Sequence, residues 1–350
     1  MPFWIEGQGG GEMVMPAGKV PAELLREVLE ALPKGDERVI LGPGIGRDSA
    51  VLRFREDCLV VSSDPITFAT EEIGWYAVHI NANDVATTGA RPRWFFPTVL
   101  LPEKTADQGM FRLIMKQISE ACSQLGITVC GGHSEITLSL DRPIVVGTML
   151  GEVGMERLVR QDGARAGDKV LLTKGLAIEG TAVLAREHPE VRKALPKERL
   201  RTCERFIYEP GISIVEEALM AVQEAHVTSM HDPTEGGLAA GLHELAEASG
   251  VGIKINRQAV YVYEETRLVC EMLSLDPLGL LASGALLITV PPEQGESLVR
   301  SIRGKGIDCR IIGEITGQSG VVLLEDNGEI MELRPPPRDE LARALEIYET

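Results

Sequence analysis

Apolar residues along this chain alternate between helical and strand-like spacing. From Val20 to Leu32, the positions Leu24, Leu25, Val28, Leu29 and Leu32 fall on one helical face, and Pro21 and Glu23 suit a first turn, so an amphipathic helix is predicted. The runs RVILG, SAVLRF and CLVVSSD are short, partly β-branched and bounded by glycine or charge, which predicts successive strands. PRWFFPTVLLP predicts another strand, 105–125 a helix, and ITVCGG and RPIVVGTMLGEV strands beyond it. A polar, glycine-rich passage at 153–166 then interrupts the pattern. After it, KVLLTKG, HVTSMHD, VGIKI, ALLITV, CRIIGEI and GVVLLE read as strands. Helices are predicted in EGTAVLAREH, in ISIVEEALMAVQEA, in GLAAGLHELAEAS up to a stop at Gly250, after Pro292, and after the prolines at 335–337. Strands and helices alternate in both halves, so the expected class is α/β, of mixed α+β type, in two domains.

Composition narrows the function. A chain of 350 residues with 44% hydrophobic content can bury a substantial core. Its 52 acidic residues outnumber 35 basic ones, for a net charge of −17, which opposes nonspecific binding to nucleic acid or anionic membrane. Aromatic residues make up only 4%, so a base-stacking surface is also unsupported. The six cysteines form no C-x-x-C pair, pointing to a reduced, cytoplasmic setting without a zinc or dithiol site. GLLASGALLITV is too short and too interrupted to cross a bilayer. Residues 1–18 lack the apolar core of a signal peptide, and their glycine cluster predicts mobility.

One stretch conflicts with its own pattern. In VHINANDVATTGARP, the predicted helix capped by Thr70 and opened by Glu71 and Glu72 carries a buried stripe of Ile73, Tyr76, Ala77 and Ile80. Asn83 and Asp84 come next on that stripe, where an ionised carboxylate is costly unless a positive group meets it. A salt bridge to Arg91 or Arg93, or rotation of Asp84 to solvent, would suffice for this residue alone. Three more aspartates, Asp48, Asp64 and Asp232, sit at strand ends or adjacent turns, which converge at one edge of an α/β sheet. Carboxylates gathered there would repel one another unless cations intervened, and hard oxygen donors suit Mg²⁺ bridging to phosphates.

Glycines add a second line. GPGIG at 42–46 joins two strands with spacing unlike a dinucleotide fingerprint, and no P-loop motif is present. Gly175 to Gly180 and the Gly236-Gly237 pair precede helices whose free N–H groups could receive phosphate. In CGGHSEIT, His133 could donate to phosphate or shuttle a proton, and Glu135 could orient or deprotonate a nucleophile. His231 is a secondary candidate; His79 reads as surface or structural, and His188 and His226 as exposed.

GRDSAVL, SSDPIT, VHINANDVATTGARP, GGHSEI and HDPTEGGLAAGLHELAEASGVGI occur together in this order. The set resembles the PurM-like, AIR synthase-related superfamily of ATP-dependent enzymes, which includes aminoimidazole ribonucleotide synthetase, selenophosphate synthetase, thiamine-monophosphate kinase and the hydrogenase maturation protein HypE. TKGLAIEGTAVLAREH and the general layout look most like the HypE branch. The resemblance implies an N-terminal ATP/Mg²⁺ and dimerisation domain over 19–155, a C-terminal domain over 156–335 and a terminal helix over 336–350. Strands of the first domain would join those of a second copy in a dimer-spanning, barrel-like sheet.

The resemblance also implies ATP phosphates held through Mg²⁺ by Asp48, Asp64, Asp84 and Asp232. Nucleotide contacts would come from Asn83, Gly131, Gly132, Gly175, Gly180, Thr234, Gly236 and Gly237, with His133, Glu135 and Asp84 in the chemistry. Activation of a carbonyl-type oxygen by phosphorylation is the implied reaction, with a maturation protein as a possible partner. A noncatalytic nucleotide-binding partner and the other PurM-like activities are the alternatives. Two departures from the HypE pattern stand out. The last cysteine is Cys309, where HypE proteins are expected to end in one, and GGHSEI replaces a lysine-containing GDTK loop. Cyanide-donating chemistry on the chain's own tail is therefore not expected.

Overall fold

The computed structural model describes residues 20, 22–32, 36–67, 69 and 71–349; the segment 1–18 and the cap at Thr70 lie outside them. Two sheets are built from the first half. The larger has six strands in the order Val39–Leu41, Ala50–Phe54, Asp57–Ser62, Met149–Gly154, Arg91–Phe95 and Thr128–Val129. The smaller has four, Pro65–Ile66, Ile144–Val146, Thr98–Pro102 and His133–Thr137. The second half forms one seven-stranded sheet, running Ser229–His231, Leu287–Val290, Lys169–Thr173, Cys309–Thr316, Gly252–Asn256, Val322–Asp326 and Glu329–Glu332. The architecture is the expected mixed α/β, two-domain arrangement. Among the described residues no sheet closes into a barrel within the chain, and Thr128–Val129 and His133–Thr137 remain as open edges.

Two sequence runs read as single strands are each two. PRWFFPTVLLP divides at Phe96-Pro97 and RPIVVGTMLGEV at Gly147-Thr148, and each contributes one strand to either sheet. The breaks face one another: Phe96 N donates to Thr148 O at 2.9 Å, and Thr148 N to Phe96 O at 3.2 Å. Proline cannot donate to a ladder, so the chain changes sheets where Pro97 falls. The helix expected from 105 starts at Gln108, because Asp107 caps it by accepting from Met110 N at 2.7 Å. No element was expected over 189–204 or 264–273, where the helices Pro189–Ala194, Lys197–Glu204 and Glu264–Leu273 stand. The amphipathic helix forms over Ala22–Ala31, but Leu24 and Val28 of its apolar stripe face solvent.

The helix Ile73–Ala86 is the axis of the molecule. It packs against the helix Gln108–Leu125, strands of both N-terminal sheets, and the helix Val215–Glu224 of the second half. All but one of its residues are buried, so the expected stripe is replaced by burial on every face. Such a helix can carry polar side chains only if each finds a partner. Asn81 Oδ1 accepts from Asp64 N at 2.9 Å, and its Nδ2 donates to Asp64 O at 3.2 Å and Ala77 O at 2.9 Å. Asn83 Nδ2 donates to Ile212 O at 2.8 Å while its Oδ1 accepts from Ile214 N at 2.9 Å. Asn83 therefore joins the two halves through both ends of its amide.

His79 is likewise not a surface residue. It is buried against Trp75, ring centroids 4.5 Å apart, and neither ring nitrogen has a hydrogen-bond partner among the described residues. Burial, with a smaller push from the Lys174 charge, lowers its pKa to about 3. His188 is also buried, while His226 is exposed as expected.

Two outcomes follow for stability. Asn83→Leu leaves a buried N–H and a buried C=O unbonded, and urea unfolding should show a loss of about 2–4 kcal/mol. For His79, the unfolded ring takes up a proton below its ordinary value of 6.5 while the folded ring refuses it down to about 3, so this contribution is intact above 6.5 and lost as pH falls. Relative to wild type, His79→Phe should therefore gain about 1.4 kcal/mol for each pH unit below that value, measured by chemical unfolding at about pH 7.5 and about pH 5.5.

Candidate active site

Four aspartates from four elements lie within one another's field. Asp48 leads into the strand Ala50–Phe54, Asp64 follows Asp57–Ser62, Asp84 occupies the last turn of Ile73–Ala86, and Asp232 follows Ser229–His231. Asp48, Asp64 and Asp84 line a cavity of about 640 Å³, closed on its other sides by the Gly44–Arg47 turn, Thr234 and the helix Gly237–Ser249. Gly46 makes this closure possible. Its φ is +67°, and a Cβ there would lie 2.5 Å from Glu244 O.

Asp84 is buried and does not pair with Arg91 or Arg93. Its Oδ2 accepts from Ser62 Oγ at 2.5 Å, and its carbonyl accepts from Ser49 Oγ at 2.9 Å and Thr87 Oγ1 at 2.7 Å. Burial, then the charges of Asp64, Asp232 and Asp48, push its pKa well above the usual carboxylate range. Asp232 is more exposed energetically although it is 1% accessible: neither carboxylate oxygen has a hydrogen-bond partner among the described residues. Burial and the Asp48 charge raise its pKa, against a lowering from His231.

His231 is the cation of the cluster. Nδ1 lies 2.9 Å from Asp48 Oδ2, and Nε2 lies 2.9 Å from Glu244 Oε2. Burial opposes its charge, but the field of Asp48 and the hydrogen bonds to Asp48 and Glu244 outweigh that and hold the imidazolium well above its ordinary pKa. Gln161 secures the same carboxylate from the opposite side: Nε2 donates to Asp48 Oδ2 at 2.6 Å, and Oε1 accepts from Asp48 N at 3.1 Å. Ser62, Asn81, Gln161 and Glu244 are thus site residues that the sequence reading missed. Their partners are far away in the chain, so no local spacing signals them.

The other expected residues divide. Thr234 lines the cleft and also an adjoining cavity, which meets it at Asp64. Gly236 and Gly237 begin the neighbouring helix, but Gly236 N already donates to Asp339 Oδ2 at 2.5 Å and Gly237 N to Thr234 O at 3.0 Å. Those amides are not free for phosphate. Gly180 N donates to Leu281 O at 3.1 Å, and Gly175 packs on Tyr261 and Tyr263, where a Cβ would lie 2.6 Å from the Tyr263 ring. His133 and Glu135 pair at 3.1 Å on the open edge strand, exposed, and with Gly131 and Gly132 they line neither cavity.

An acidic cluster with an orphaned, buried carboxylate fits a divalent cation. The donors are hard oxygens, and among the described residues no three acidic, histidine or cysteine groups close into a cage by themselves. Such a spread arrangement suits Mg²⁺, which keeps water and takes one or two carboxylates together with phosphate oxygens.

Residues 46–153 match the family model described as AIR synthase related protein, N-terminal domain, and 165–325 match its C-terminal domain. A carbamoyl dehydratase HypE of Azotobacter vinelandii is 31% identical over 256 residues, covering 72% of each chain. Among solved structures, a hydrogenase maturation protein HypE in complex with ATP superposes with a TM-score of 0.70 at 23% identity, over 91% of each chain. A HypE-HypF complex gives 0.72 at 23% identity, over 90% of this chain and all of that one.

His231→Leu tests the charge balance of the cleft. Without the imidazolium, Asp48 and Glu244 face each other uncompensated, and since both are partly solvated the loss should be about 1–3 kcal/mol in urea unfolding. A raised histidine pKa stabilises fully below the ordinary value of 6.5 and ceases to do so as pH rises through the folded pKa, so the difference from wild type should shrink at alkaline pH.

Proposed function

From a chain that belongs to the AIR synthase-related family and groups with its HypE relatives, we propose an ATP- and Mg²⁺-dependent enzyme of the HypE-like type. It phosphorylates a carbonyl-type oxygen of a small or protein-bound substrate and so makes that oxygen a leaving group. The observation that carries this reading is Asp232, buried with both oxygens unpartnered and facing Asp48, Asp64 and Asp84. A cation would relieve all four at once.

Asp48, Asp64, Asp84 and Asp232 are the residues that would hold Mg²⁺, which supplies neutralisation of phosphate charge so that a nucleophile can approach. The protein's own work is placement. Ser62 fixes the Asp84 carboxylate, Asn81 clamps the Asp64 backbone, and Gln161 with His231 orients Asp48. Asp48, Asp64 and Asp84 are thus positioned before any ligand arrives, which lowers the cost of organising the reacting groups.

Two features support association. Val129, Ile136 and Leu138 are exposed at or beside the open edges Thr128–Val129 and His133–Thr137, which favours pairing of this face with a second copy. In such a pair, His133 and Glu135 would belong to the interface. The relative solved as a HypE-HypF complex supports a maturation protein as a further partner. No described helix is long and apolar enough to cross a membrane.

Calorimetric titration of ATP with and without Mg²⁺ tests the reading. Wild type should bind only with Mg²⁺, and Asp84→Asn and Asp232→Asn should each weaken binding at least ~10-fold, about 1.4 kcal/mol. Unchanged affinity in both variants would remove these carboxylates from the site.

A further inference from the structure

A groove of about 830 Å³ lies on the second half and shares no lining residue with the aspartate cleft or the cavity beside it. One wall is the helix Lys197–Glu204 with the single helical turn Arg205–Ile207 that continues it; the other is Tyr263 with the start of the helix Glu264–Leu273. Arg199 ties the two walls together, 2.7 Å from Glu264 and 3.6 Å from Glu265. Phe206, Tyr263 and Pro210 supply apolar surface, the two rings meeting edge to face with centroids 5.2 Å apart.

The helical wall carries charge opposite to that of the whole molecule. Residues 191–206 include six basic and two acidic side chains, in a chain of net charge −17. Lys197, Arg201 and Arg205 line the groove at intervals of four residues and are exposed. Among the described residues none of the three side chains has an ion-pair or hydrogen-bond partner. Arg205 keeps right-handed helical backbone as the C-cap, so the three stand on one face, about 6 Å apart along the axis at about 1.5 Å of rise per residue.

We propose that this groove docks an acidic segment of a partner protein in extended conformation, with a carboxylate at every second position meeting Lys197, Arg201 and Arg205. An extended peptide presents same-side side chains about 6.8 Å apart, close to the interval between the cations. The residues between the acids point the other way, towards Tyr263, where aromatic or apolar side chains find a matching surface. A lone phosphate or small dicarboxylate would reach only one or two of the three cations. A nucleic acid strand repeats its charge too, but Glu198 and Glu209 also line the groove, and Glu265 offsets Arg199 there. An unbroken run of phosphates would meet those carboxylates, whereas a peptide can place uncharged residues opposite them. Docking here does not depend on the chemistry of the aspartate cleft.

The test is fluorescence anisotropy of end-labelled peptides, with the full chain added up to about 0.5 mM. The peptide EYELE should bind, and more weakly as salt rises. QYQLQ, which lacks the charges, and EEELY, which has the same composition without the alternation, should each bind at least ~5-fold more weakly. The triple variant Lys197→Glu, Arg201→Glu, Arg205→Glu should lose at least ~10-fold of the affinity for EYELE and bind KYKLK at least ~5-fold more tightly than wild type does, a gain that unfolding cannot produce. If the triple variant does not fold, the single exposed change Arg201→Gln decides: a loss of at least ~3-fold upholds the docking, and wild-type affinity rejects it. No binding of EYELE to wild type, equal binding of EEELY, or undiminished binding of EYELE to the triple variant would overturn the proposal. Oligothymidylate that binds wild type more tightly than EYELE, and is lost in the triple variant, would replace the acidic peptide by a nucleic acid and overturn it as well.

Discussion

Mutual repulsion among buried carboxylates is the constraint around which this protein is built. Asp84 and Asp232 are withdrawn from water while Asp48 and Asp64 act on them through the same cleft. Desolvation and like charge both raise the free energy of the ionised cluster, and a fold without a use for it would replace these residues with apolar ones. The surrounding structure instead preserves it. His231 contributes one positive charge between Asp48 and Glu244, which offsets part of the repulsion and leaves Asp232 unsatisfied.

That constraint explains the polar interruption in the central helix. Asn81, Asn83 and Asp84 are consecutive demands on one buried turn, and each answers a different one. Asn81 holds the backbone that presents Asp64, Asn83 ties the helix to 212–214 of the second half, and Asp84 faces the cleft. Because Asn83 bridges the halves, the distance from Asp84 to Asp232 depends on the same contact that joins them. Packing and site geometry are thus one design, and a smooth leucine stripe would provide neither.

Much of this was legible in the chain. Periodicity located most strands and the long helices, and the four aspartates announced themselves by recurring at strand ends. Glycines were less informative: Gly175 and Gly180 serve close packing, and the amide of Gly236 is taken by Asp339, which stands over a hundred positions later. Capping of one helix by such a distant carboxylate has no local signature. The bonds of Asn83 to 212–214 have no local signature either, since a polar residue beside a carboxylate gives no sign of the distant backbone it holds. Short helices over 189–204 escaped because the prolines and charges between them obscure the helical period. His133 and Glu135 lie on an open edge, where a single chain cannot give them a role in the cleft.

The most direct test of the carboxylate cluster is anomalous diffraction from crystals grown with Mn²⁺, in place of Mg²⁺, and a non-hydrolysable ATP analogue. Manganese peaks at about 2.0–2.3 Å from oxygens of Asp232 and Asp84, bridged to phosphate, are the result expected of a cation-phosphate site. Nucleotide bound elsewhere, or bound in the cleft with no metal peak beside these aspartates, would contradict it.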